Sequence, residues 1–239
     1  MAKNWKIRKD LSIEVCGHTL FRIECTQDFK EIKAGTLGGY IEKEENLDGD
    51  AWVYDDAQVS GNAKVCGDAW VYDDAWVYGD AWVSDDAQVC GNAKVYGNAK
   101  VYGDAQIYDD AKVCGNARVY GDAQVYGNAQ VCSNARVYGD AQVCGNALVS
   151  GDAQVYGNKI TNKDDICYVS NRYYNITITP LHIKIGCQYH AQEAWWNFTD
   201  EQIKKMDGES ALNFWKIWKE PLKQICDAMK KEKGEKDVK

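Results

Sequence analysis

Through the middle of the chain, apolar positions recur at a period that no helix can use. From Gly49 to Tyr156 the sequence runs in six-residue units of the general form Gly or Asp, Asp or Asn, Ala, a variable residue, Val, then Tyr, Cys or Ser. Ala recurs in all eighteen units from Ala51 to Ala153, and the aliphatic position two residues later is Val in each unit except at Ile107. Upstream, Gly39 with Ile41 and Glu45 with Leu47 hold the same phase, so degenerate units reach back to about Leu37. A helix would repeat its apolar stripe every 3.6 residues. On a strand, Ala and Val lie two apart and share one face, while the variable residue and the Tyr, Cys or Ser share the other. Gly, Asn and Asp tolerate left-handed backbone angles, so the pairs between units supply corners. The pattern predicts a coil of short strands and sharp corners.

This unit resembles the hexapeptide repeat of left-handed parallel β-helices, in which three units form one triangular turn. That resemblance implies a mainly β fold: a left-handed parallel β-helix solenoid of about six regular turns. Residues eighteen apart then stack, and each outward position becomes a ladder. One wall shows Trp52, Trp70, Gln88, Gln106, Gln124 and Gln142. The second shows Gln58, Trp76, Lys94, Lys112, Gln130 and Leu148. The third shows Lys64, Trp82, Lys100, Arg118, Arg136 and Gln154, beside Tyr102, Tyr120, Tyr138 and Tyr156. One corner carries Asp50, Asp68, Asp86, Asp104, Asp122 and Asp140 in register.

The open ends of such a coil need covers, because unpaired strand edges invite further pairing. Residues 1–36 are expected to form an N-terminal hairpin cap, with strands Leu11 to Val15 and Thr19 to Cys25 joined across Cys16-Gly17-His18. The solenoid is assigned to 37–158, short strands to 159–198, and C-terminal helices with a charged tail to 199–239. Thr199 and Gln202 stand at capping-box spacing, and Pro221 is expected to break or restart the last helix. Trp52, Trp70, Trp76 and Trp82 crowd the first turns; with Trp215 and Trp218 they are candidates for cap or oligomer contacts.

Charge narrows the functional classes. Against 28 basic residues stand 36 acidic ones, a formal net charge of −8, which argues against general nucleic-acid binding. No apolar stretch is long enough to cross a bilayer, and the Met1-Ala2-Lys3-Asn4-Trp5-Lys6 start has no signal-peptide core. A cytoplasmic protein is expected, with its ten cysteines reduced. Lys100, Arg118 and Arg136 beside Tyr102, Tyr120 and Tyr138 form a candidate site for a small anionic, nucleotide-like ligand, through guanidinium forks and aromatic contact. No cofactor and no metal site is expected; alternation sets His182 and Cys187 on opposite strand faces, which separates the candidate ligands among His182, Cys187 and His190.

Many left-handed β-helix proteins are acyltransferases that use a histidine near an excursion loop. The only histidines here, His18, His182 and His190, lie outside the repeats, so an acyltransferase-like enzyme would need a displaced site. The continuous segment from Arg22 to Glu42, with Asp28-Phe29-Lys30-Glu31-Ile32-Lys33-Ala34-Gly35-Thr36-Leu37-Gly38-Gly39-Tyr40 within it, and Ile183-Lys184-Ile185-Gly186-Cys187-Gln188-Tyr189-His190 followed by Trp195-Trp196-Asn197-Phe198-Thr199, resemble the flanks of phage- and prophage-encoded hexapeptide-repeat proteins. Such proteins are often labelled transferase-like or polymer-forming. The resemblance implies a phage or prophage origin. With no histidine in the repeats and a basic, tyrosine-lined face, the expectation is a non-enzymatic binding protein acting in the host cytoplasm on a host protein or an anionic signal in a counter-defence role. Homo-oligomerisation through the terminal segments is expected with it. The alternative is a self-assembling structural solenoid whose turns stack end to end.

Overall fold

The computed structural model describes residues 3–236, with side chains as far as Lys231. Three parallel sheets wrap around a single column of Ala and Val. Partners in each sheet lie eighteen residues apart, as in Lys100 with Arg118, Gln106 with Gln124 and Lys94 with Lys112. The triangular winding expected from the repeat is therefore present, as a parallel β-solenoid. Its inward aliphatic residues form seven rungs, from Ile41, Leu47 and Val53 to Val149, Val155 and Ile160, and all are fully buried or within 1% of it. Burying one such side chain is worth about 1.5–3 kcal/mol, and the column repeats that gain at every step. Backbone ladders join the turns: Lys100 N donates to Ala117 O, and Arg118 N to Ala135 O, each at 2.9 Å.

The sequence fails to repeat at both ends, and side chains there replace the missing rungs. At the N-terminus, β1 (Trp5–Val15) and β2 (His18–Cys25) form an antiparallel hairpin, and β2 pairs with β3 (Leu37–Ile41). In turn β3 runs parallel to Gln58–Val59, so the hairpin extends one wall beyond the first rung. Its inward residues Trp5, Ile23 and Cys25, with Ile32, close the core. Phe29 meets Trp52 edge-on at 5.5 Å. On another wall, buried Asn46 supplies the absent strand with its amide: Nδ2 donates to Ala63 O at 2.8 Å and to Gly61 O at 3.2 Å.

At the C-terminus the final turn is one residue short. Asn158 fills the place of the next Ala, and its carbonyl accepts from Gln142 N at 2.9 Å. The Thr177 hydroxyl accepts from Gln154 N at 3.1 Å, again where a rung carbonyl would stand. Beyond lies a four-stranded antiparallel sheet from Cys167–Val169 to Gln188–Ala191, followed by α1 (Gln192–Asn197) and α2 (Asp200–Lys236). These elements share a second core built on Ile176, Ile183, Trp195, Phe214, Trp215 and Leu222.

The expected capping box closes α2: Thr199 N donates to Gln202 Oε1 at 2.9 Å and Gln202 N to Thr199 Oγ1 at 3.3 Å. The expected break at Pro221 does not occur. Helical geometry is lost instead at Asp207 and Gly208, where Gly208 has a φ of 65°. Neighbouring Leu222 is fully buried, and Trp215 upstream is nearly so; that packing holds the helix through the proline despite its lost hydrogen bond. The charged tail lies, from residue 232 onward, outside the described side chains.

Candidate functional site

Alternation along the third wall turns every cation and tyrosine outward. Lys100, Arg118 and Arg136 are exposed, while Tyr102, Tyr120 and Tyr138 are half-buried. Their rings stack directly: Tyr102 and Tyr120 centroids are 5.0 Å apart at 1°, and Tyr120 and Tyr138 are 5.2 Å apart at 7°. Each ring thus spends its faces on its neighbours. Burial raises the phenol pKa of Tyr120 and Tyr138; Arg136 and Arg118 pull Tyr120 in the opposite direction, and Arg136 does so for Tyr138.

On the other side of the cations, the corner asparagines form a hydrogen-bonded ladder. Asn116 Nδ2 donates to Asn134 Oδ1 at 3.1 Å, and Asn134 Nδ2 to Asp152 Oδ1 at 3.0 Å. Each of these amides keeps a second N–H. Together Asn98, Asn116, Asn134 and the three cations line an open groove of about 560 Å³, closed at one end by Asn175 of the C-terminal unit. Lys184 lies near enough to Arg136 to feel its charge, and burial foremost lowers its pKa. Among the described residues, none of Lys100, Arg118 and Arg136 makes an ion pair. The six residues expected to act together therefore share one face, in parallel rows and not around a point.

The tryptophans are not brought together as one surface. Trp52 is wholly buried beneath the N-terminal segment, out of reach of a second chain. Lys30 reaches over Trp70 at 5.9 Å and pairs with Asp68 at 2.7 Å. Trp76 lies under Lys94 at 5.1 Å. Trp82 stands between Lys64 and Lys100, at 5.8 Å and 5.7 Å, and remains 42% exposed. Trp215 and Trp218 sit in the C-terminal core, where Trp218 stacks on Phe214 at 5.8 Å. Lysines on adjacent rungs thus supply part of the cover that the tryptophans require.

Sequence reasoning did not find the apolar cavity of about 220 Å³ in the C-terminal unit, walled by Tyr174, Trp195, Phe214 and Trp215. Tyr174 OH donates to Asp207 Oδ2 at 2.7 Å beside it, at the helix break. The aromatic run near Trp195 signalled a core, but nothing in its spacing signalled a gap. Among the described residues no His, Cys, Asp or Glu group has the geometry to hold a metal ion, and no helix is long and apolar enough to cross a membrane.

A backbone of eighteen-residue turns with these repeats can be compared with known families. The repeats are similar to the family described as YdcK Beta solenoid repeat. The matches cover residues 57–73, 87–103, 111–127 and 141–157, each nearly one turn. All four fall inside the regular part of the coil, so the YdcK-type likeness concerns the solenoid and leaves both flanks outside it. No curated protein matches the chain.

Proposed function

We propose that this chain is a structural, self-assembling β-solenoid, a stiff rod whose work is done by its side faces. The observation behind this reading is the repetition of outward residue types in register over successive rungs. A ladder presents one contact many times along a line, which suits association with an equally regular surface. Both ends carry covers: β1 and β2 extend one wall at the start, and Thr177 with the small sheet meets the last rungs. Those covers favour the sides over the ends as contact surfaces. Sedimentation velocity across a concentration series tests the reading. Discrete or growing assemblies are expected; a strict monomer at every concentration would contradict it.

A second reading is favoured by the unpaired cations of the groove. In it the chain is a non-enzymatic binding protein of phage origin, acting in the host cytoplasm, and takes a host protein or a small anionic ligand at Lys100, Arg118 and Arg136. Titration calorimetry with a nucleotide panel checks it. Heat that disappears in Arg118→Ala and Arg136→Ala supports this reading, and silence across the panel removes the ligand.

A further inference from the structure

On three successive rungs the third wall carries the same five-residue phrase: Lys100-Val101-Tyr102-Gly103-Asp104, Arg118-Val119-Tyr120-Gly121-Asp122 and Arg136-Val137-Tyr138-Gly139-Asp140. Val points into the core and the corner glycine has a positive φ, between 65° and 73° in the three copies. The other residues form three parallel outer ladders, with cations on one side, tyrosines in the centre and carboxylates on the other side. All six charged groups are exposed. Among the described residues none of the six makes an ion pair. Like charges repeated at about the 4.8 Å strand spacing repel one another, so each ladder lacks a counter-charge that its own chain does not supply.

The order of the ladders is self-complementary. A two-fold axis parallel to the solenoid, passing through the tyrosines, exchanges cation with carboxylate at the same rung height and returns tyrosine to tyrosine. Turning the second rod antiparallel would set cations over cations. The neighbouring walls lack this property. One continues Lys94 and Lys112 with Asn98 and Asn116 at the corner, and the other offers Gln88, Gln106 and Gln124 in place of cations.

We propose that two copies of this chain pair side by side with parallel axes through this face. Lys100, Arg118 and Arg136 of each copy meet the partner's Asp104, Asp122 and Asp140, and the two tyrosine ladders abut between the charged rows. The contact is isologous, so it closes at two subunits. It deepens, and rests on, the self-assembly reading above, and it differs from association through the terminal segments. Exposed ion pairs are individually weak and screened by salt, so the dimer responds steeply to ionic strength.

The test is sedimentation velocity on the full chain and on two charge-reversed variants, Arg118→Glu with Arg136→Glu, and Asp122→Lys with Asp140→Lys. All four positions are exposed, and unchanged circular dichroism melts establish that the variants fold. The native chain is expected to dimerise at about 50 mM salt and to weaken by roughly tenfold or more at about 500 mM. Each variant alone is expected to be monomeric, and an equimolar mixture of the two to restore the dimer. If the native chain associates while either variant associates equally well, or if the mixture stays monomeric, this interface is overturned and self-assembly survives through another surface. If the native chain remains monomeric at low salt, both ideas fail.

Discussion

At each corner one residue takes a left-handed backbone angle, and its identity decides how much the turn costs. Every sixth residue from Gly49 to Gly157 has a positive φ. Asp109, at 58°, offsets part of the strain by accepting a hydrogen bond from Gly127 N on the next rung at 3.0 Å; Asp73 and Asp85 do the same for Gly91 and Gly103. Replacing Asp109→Ala removes that acceptor and keeps the strain, so a loss of about 1–2 kcal/mol in denaturant unfolding is expected, with Asp109→Gly costing less. At Gly67, a Cβ would stand 2.9 Å from Asp85 N, whereas at Gly17, also left-handed, it meets nothing within 4 Å. Gly67→Ala should therefore destabilise more than Gly17→Ala; equal effects would show that stacking distance does not constrain the corner. The choice of Gly, Asn and Asp made the corners legible from sequence. The carboxylate's reach to the following rung was not legible, because it depends on the height separating turns.

Where elements join, single polar residues decide how the repeat stops. Asn158 donates from Nδ2 to Tyr189 Oη and Tyr156 O, leaving Oδ1 to face His182 Nδ1 at 3.1 Å. His182 stacks on Tyr189 at 4.8 Å, and burial pushes the Tyr189 phenol up to about 12. Burial also holds the His182 and His190 imidazoles below their ordinary value, which is about 6.5. Just below that pH the unfolded chain binds more protons than the folded one, so stability rises with pH through the window and is lost as pH falls below about 6.5. Denaturant unfolding followed by tryptophan fluorescence should give a lower midpoint at pH 5.5 than at pH 7.5, and His182→Gln should narrow the difference. A midpoint independent of pH would contradict this account of the junction. The flanking strands and the Thr199 cap were readable from alternation and spacing. The shortened turn at Asn158 was not, since an asparagine replacing an alanine looks in the sequence like an ordinary end of the repeat. Likewise, the helix break falls at Asp207 and Gly208 because packing around Leu222 outweighs the local cost of Pro221.

Across the whole molecule, a six-residue chemical period becomes an eighteen-residue mechanical one because three walls close around the Ala and Val column. That step let the cation, tyrosine and aspartate ladders be written down from sequence, and the strand register places them as expected. Their relation to one another required the folded wall, because self-complementarity is a property of a face and not of a column. The fate of the tryptophans also required it, since lysines from adjacent rungs cover some and the N-terminal segment buries Trp52. The most direct test of the solenoid is the distance between spin labels, carried on unnatural amino acids to spare the native cysteines, in the pairs Lys64 with Arg136 and Lys64 with Gln154. With four and five rungs between them, backbone separations of about 19 Å and 24 Å are expected, an increment of one strand spacing for eighteen residues. Separations that do not increase by that step would contradict a three-sided coil and the ladders built on it.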